Sequence, residues 1–63
     1  METAQVGDEI VVDSGAVGQP PRKGEALDIR GEPGHEHYLV RWDDGHESIF
    51  FPASTAHVVH VKR

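Results

Sequence analysis

No cysteine occurs anywhere in these 63 residues, and that gap removes several chemistries at once. Disulfides cannot staple the chain, thiolate-held zinc cannot nucleate its folding, and there is no cysteine nucleophile. Basic residues are scarce too: six Lys and Arg stand against eleven Asp and Glu, giving a net charge of −5 with histidines neutral. Proteins that grip nucleic acid by its phosphates need a basic patch to replace the counterions. The only adjacent basic pairs here are Arg22-Lys23 and Lys62-Arg63, so sequence-independent DNA or RNA binding is disfavoured. No apolar run approaches the roughly 20 residues of a membrane span. Met1-Glu2-Thr3 does not read as the start of a signal peptide. A cytoplasmic, reducing setting is the expectation. An apolar stripe of helical period is also missing, so no stable helix is expected.

What the chain does hold is concentrated in Tyr38–Pro52, which carries all four aromatic residues. Tyr, Val, Trp, Ile and Phe suit a pleated, half-buried surface. Two runs of them flank Asp43-Asp44-Gly45, the pattern of a short hairpin loop. A two-residue Asp44-Gly45 loop would set Tyr38 opposite Phe51 and Val40 opposite Ile49. A type I turn followed by a left-handed Gly45 would instead set Tyr38 opposite Phe50 and Arg41 opposite Glu47. The second register is preferred, because Asp44 suits the third turn position and Gly45 takes the left-handed one without steric cost. It also creates a cross-strand Arg41–Glu47 pair contributing roughly 0.2–1 kcal/mol.

Reading in order, residues 1–5 have no pattern and are expected to be loose. Glu9–Asp13 reads as a first strand with Ile10 and Val12 inward. Ser14–Arg22, with two glycines and two prolines, is a long loop. Lys23–Arg30 alternates as a second strand, with Leu27 and Ile29 on one face. Gly31–Glu36 is another loop, the hairpin follows, and Pro52–Ala56 fits one tight turn of 3-10 type. His57–Val61 closes as a fifth strand. The expected fold is a single all-β domain over residues 1–63: a small five-stranded barrel, closed so that no strand edge is left bare. Its inward set is expected to include Ile10, Val12, Leu27, Ile29, Val40, Ile49 and Val59, with some of Tyr38, Leu39, Phe50 and Phe51.

That order of elements resembles the SH3-like barrels, the group that includes Tudor, KOW and chromo-barrel modules. More closely, the chain is similar to the actinobacterial DUF1918 family. The resemblance rests on Val6-Gly7-Asp8, Arg22-Lys23-Gly24-Glu25, the block Tyr38 to Ser48, and Phe51-Pro52. It implies an SH3-like barrel and an actinobacterial source. It brings no assigned activity, so no functional residue is carried across. The resemblance to SH3-like barrels further implies a partner groove bounded by Ser14–Arg22, Gly31–Glu36 and Pro52–Ala56.

Weighed by chemistry, the residues favour binding over catalysis. Ser14, Ser48 and Ser54 lack a glycine-flanked nucleophile setting. Asp43-Asp44 sits where carboxylates usually bond their own turn. A barrel of this size is filled by its own side chains. No enzymatic activity, cofactor or small-molecule substrate is therefore expected. The five histidines offer nitrogen donors, but His57 and His60 lie three apart on a strand and point to opposite faces, so no metal site is expected. Protonating all five would add five charges to −5 and bring the formal charge to 0, the basis of a pH-sensing alternative. The candidate binding residues are Tyr38, Arg41, Trp42 and Pro52, with core packing as the competing role for the aromatics. The expected partner is another protein or a second copy of the chain; a KOW- or Tudor-like nucleic-acid module is the alternative.

Overall fold

A computed structural model describes residues 1–13, 15 and 17–61; Ser14, Ala16, Lys62 and Arg63 lie outside the described residues. Five strands form one antiparallel sheet: β1 (Glu9–Val12), β2 (Arg22–Arg30), β3 (His37–Trp42), β4 (Glu47–Phe50) and β5 (Ala56–Val59). No helix is present among the described residues, and none is long and apolar enough to cross a membrane. The spatial order is β4-β3-β2-β1-β5, so β5 returns beside β1 while β4 stays at the other end.

The all-β, five-stranded expectation holds, but closure does not. The two end strands, β4 and β5, are not paired with one another. Each is only four residues long, and the link Phe51–Thr55 is spent carrying the chain across the sheet. The sheet instead curls, because Val58 of β5, Ile10 of β1, Ala26 of β2 and Tyr38, Val40 and Trp42 of β3 share one core cluster. Among the described residues no helix covers that face, yet Ile10, Ala26 and Val40 are fully buried, which one face of a flat single sheet would not achieve. The expected single turn before β5 is present, with the Ala56 N–H donating to the Ala53 carbonyl three residues back at 3.0 Å.

Several face assignments change. In β2 the register slips between Ala26 and Asp28, so Ala26 is fully buried whereas Leu27 is only half-buried. In β5 the buried residues are Ala56 and Val58, and Val59 is exposed. Ile49 is exposed because its neighbour Phe50 takes the inward position opposite Tyr38. A strand that is apolar on both faces does not announce which face is core; one residue of slip turns it over. Within residues 1–5, Ala4 is fully buried, its N–H donates to Tyr38 Oη at 3.2 Å, and Met1 packs against the core, while Glu2, Thr3 and Gln5 are exposed.

Gly24 is the tightest point of the sheet. It pairs with Ile10 on one side and Trp42 on the other. A Cβ there would collide with the Val40 side chain and lie 3.0 Å from both the Arg41 carbonyl oxygen and the Trp42 ring. Only a hydrogen fits between β2 and the residues beneath it.

Candidate functional site

The β3–β4 hairpin adopts the preferred register. Arg41 faces Glu47 and Tyr38 faces Phe50. The Trp42 N–H donates to the His46 carbonyl at 2.7 Å, and the Gly45 N–H returns to the Trp42 carbonyl at 2.9 Å, with Gly45 at φ 89°. The loop is a turn closed by a left-handed glycine. Asp44 Oδ1 accepts from the His46 N–H at 3.0 Å, which holds the Asp44 carboxyl below its ordinary pKa.

Tyr38 and Trp42 are core residues, 1% and 5% exposed. The Trp42 indole N–H donates to Ser48 Oγ at 2.7 Å, its ring meets Phe50 edge-on at 5.8 Å, and the Arg22 guanidinium lies 4.4 Å above it. Arg41 is exposed and bonds Glu47 Oε2 at 3.3–3.4 Å through Nη2 and Nε. Pro52 is exposed beyond the end of β4. The four candidates fall at two places rather than one. Tyr38 and Pro52 line an open groove of about 650 Å³ with Met1, Thr3, His35, Glu36 and Phe51. Arg41 and Trp42 line a second, about 440 Å³, with Lys23, Gly24, Glu25 and Asp43. Gly34, His35 and Glu36 of the second loop and Pro52 thus border one groove, and none of the described residues of the first loop lines either.

A feature outside that set lies along β4. Trp42 and His46 form a hydrogen-bonded pair, and such pairs alternate along an antiparallel ladder. Ser48 and Phe50 therefore bond to β3, whereas Glu47 and Ile49 turn their backbone N–H and C=O to the outer edge, and Phe51 follows directly after β4. Among the described residues, no backbone bond reaches that edge. The same three residues put their side chains on the outer face, since residues two apart share a face. There Ile49 is 49% and Phe51 68% exposed. Ile49 sits opposite half-buried Leu39, and Phe51 stacks on His37 with ring centroids 5.4 Å apart. Sequence reading named the hairpin and, for a second copy, an exposed strand edge or a Leu39/Phe50 patch, but not this edge, because it expected Ile49 inside and the sheet closed.

The second feature it missed joins the ends of the chain. Asp8 is buried; its Oδ2 accepts from the Gln5 N–H at 2.9 Å and bonds His60 Nδ1 at 2.8 Å, while Oδ1 accepts from the Val61 N–H at 3.2 Å. His60 Nε2 lies 3.2 Å from Glu2 Oε1. The Gln5 N–H, followed by the His60 bond, lowers the Asp8 pKa, and the Asp8 hydrogen bond raises that of His60. Both ring nitrogens are thus engaged by carboxylates, which makes the trio a clasp. Among the described residues no three His, Asp or Glu groups converge as metal ligands. Partners 52 positions apart leave no local signal in sequence.

Cations are dispersed. Arg22 covers Trp42, Arg30 bonds Asp28 at 3.0 Å, and Arg41 bonds Glu47; the Lys62-Arg63 pair lies outside the described residues. Across the middle of the outer face the register sets Glu9, Glu25, Arg41 and Glu47 side by side, a row with three carboxylates and one guanidinium.

Fold and surface together define a small all-β domain built on one open, curled sheet. By sequence the chain belongs to the DUF1918 family, a domain of unknown function, whose family model matches residues 1–58. It is 37% identical over 57 residues to the uncharacterized protein Rv2302 of Mycobacterium tuberculosis, covering 89% of this chain and 71% of that one. The same figures hold for uncharacterized protein Mb2324 of Mycobacterium bovis. Uncharacterized protein Rv0569 of Mycobacterium tuberculosis is 33% identical over 57 residues, covering 89% of this chain and 65% of its own. No solved structure matches.

Proposed function

We propose that this chain is a non-enzymatic interaction module that receives an extended polypeptide strand along the outer edge of β4. One observation carries the reading: Glu47 and Ile49 turn backbone groups and side chains outward together, and Phe51 just beyond β4 adds a second large apolar side chain, Ile49 and Phe51 both being about half or more exposed. Edge pairing supplies main-chain hydrogen bonds, and alternate side chains supply selectivity. The earlier candidates serve this edge indirectly. Tyr38 and Trp42 anchor β3 behind it, Arg41 holds Glu47 in place, and Pro52 ends the strand without removing an outward donor. Net charge −5 and the carboxylate-rich row make a peptide strand a better occupant than nucleic acid. The cytoplasm is the setting that a chain without cysteine fits.

The test is selection of displayed random peptides against wild type and an Ile49→Pro variant. Proline at 49 deletes one outward donor and leaves the bonds to β3 intact. Peptides with alternating apolar residues should enrich on wild type and lose binding on the variant, whose urea midpoint is checked first. Absence of enrichment, or binders indifferent to Ile49→Pro, would refute the reading.

A further inference from the structure

We infer that the strand received by β4 is β4 of a second copy, antiparallel, on a twofold axis through Ile49. This rests on the edge reading above and names its occupant. The outward groups of β4 belong to residues 47 and 49, and extending the strand by one residue to Phe51 on pairing makes the set symmetrical about 49. A twofold there pairs Ile49 with Ile49 and Glu47 with Phe51 of the second copy, so each outward N–H and C=O of both strands meets a partner. Neighbouring pivots join fewer groups. One at Ser48 pairs Glu47 with Ile49 but sets Phe51 against the turn at Gly45, and one at Phe50 sets Glu47 against the link. One at Glu47 sets two carboxylates opposite each other, which is destabilising. One at Phe51 runs the pairing past Pro52 into the link, which is not strand.

The side chains agree with that register. Leu39 lies opposite Ile49 within each copy, so the joined sheet carries an unbroken apolar row: Leu39, Ile49, then Ile49 and Leu39 of the second copy. The flanking row runs Arg41, Glu47, then Phe51 and His37 of the second copy. Each carboxylate thus lies between its own guanidinium and an aromatic ring, away from its symmetry mate.

The other end of the sheet is less suited to the same role. The Asp13 N–H donates to the Thr55 carbonyl at 3.0 Å, so the alternation gives the outer edge of β5 to Ala56 and Val58. Their side chains turn into the core, and the Ala56 N–H is already given to Ala53. Among the described residues, outward backbone groups and outward apolar side chains coincide only on β4, so pairing is isologous and closes at two copies rather than running on as a filament.

The chain's lack of cysteine makes the test clean. Ile49→Cys places two thiols across the axis, with Cα atoms about 5.5 Å apart, inside disulfide range. Val59→Cys on β5 is the control, since Val59 is nearly as exposed as Ile49, 44% against 49%. Light scattering of wild type should show a concentration-dependent dimer. Rising salt should strengthen it, because each copy carries −5. Ile49→Cys should oxidise to a covalent dimer several-fold faster than Val59→Cys, and Ile49→Lys should be monomeric with wild-type strand content.

A wild type that stays monomeric to about 1 mM overturns the proposal. So does equal oxidation of the two cysteine variants, or an Ile49→Lys that dimerises like wild type. Displayed peptides that need the Ile49 donor while the chain stays monomeric would remove this occupant and leave the edge reading standing.

Discussion

Replacing Gly24 by alanine separates local preference from packing, because the two predict opposite signs. Gly24 has no left-handed backbone requirement, and alanine at such a site stabilises by about 0.4–1 kcal/mol through the unfolded chain. Packing says otherwise. The added methyl would collide with the Val40 side chain, whose β-branching stiffens it. It would also lie 3.0 Å from the Arg41 carbonyl and the Trp42 ring. Backbone and a large ring cannot retreat together, so the cost belongs in the upper part of the 1–3 kcal/mol range for overpacking: about 2–3 kcal/mol. A chain of this length is stable by only about 3–9 kcal/mol. The thermal midpoint should fall by roughly 10–20 °C and the urea midpoint by about 2 M, followed by circular dichroism and Trp42 fluorescence. Val40→Ala removes the struck side chain, so the double variant should lose less than the sum of the two singles. Additive losses, or a Gly24→Ala no less stable than wild type, would refute the packing reasoning.

Tyr38→Phe leaves the buried Ala4 N–H without its acceptor and should cost about 1–3 kcal/mol in urea unfolding, while Ile49→Val on the exposed edge costs far less. The His60 pKa is raised above its ordinary 6.5, so its contribution to stability is complete below that value and is lost as pH rises through the raised one. The Asp8 pKa is lowered from 3.8, so its contribution is present above 3.8 and is lost as pH falls through the lowered value. Urea midpoints from pH 3 to 9 should therefore be highest between the two, and His60→Gln should flatten the alkaline side; an unchanged profile would exclude the clasp. Arg41→Ala breaks an exposed pair and should change stability by less than about 1 kcal/mol, a larger loss showing that the pair does more than tether Glu47.

Legibility in the sequence followed the range of the interactions. Asp44-Gly45 set the hairpin register because turn chemistry is local, and the β-branched run at Ile10–Val12 marked its own strand. Leu27 misled because the bulge beside it has no residue signature in Lys23–Arg30. Val59 misled because the start of β5 is fixed by the Ala53–Ala56 turn, one step earlier than alternation alone implies. Ile49 and Phe51 were visible as apolar residues, but their standing at an edge depends on whether β4 meets β5. That depends on the path of the link, which composition does not encode. The Asp8–His60 clasp and the buried Ala4 are products of distant chain segments meeting.

Glu2 and His60 are within one hydrogen bond of each other, with Asp8 gripping the segments around both. The two ends of the described chain therefore lie side by side. Set into a surface loop of a host protein, the domain would hang from a single narrow stalk, and the host backbone would scarcely need to part to accept it. Joining residues near that point and opening the ring elsewhere, at the Asp43–Gly45 bend for instance, would give a rearranged chain with the same sheet and its two new ends beside β4.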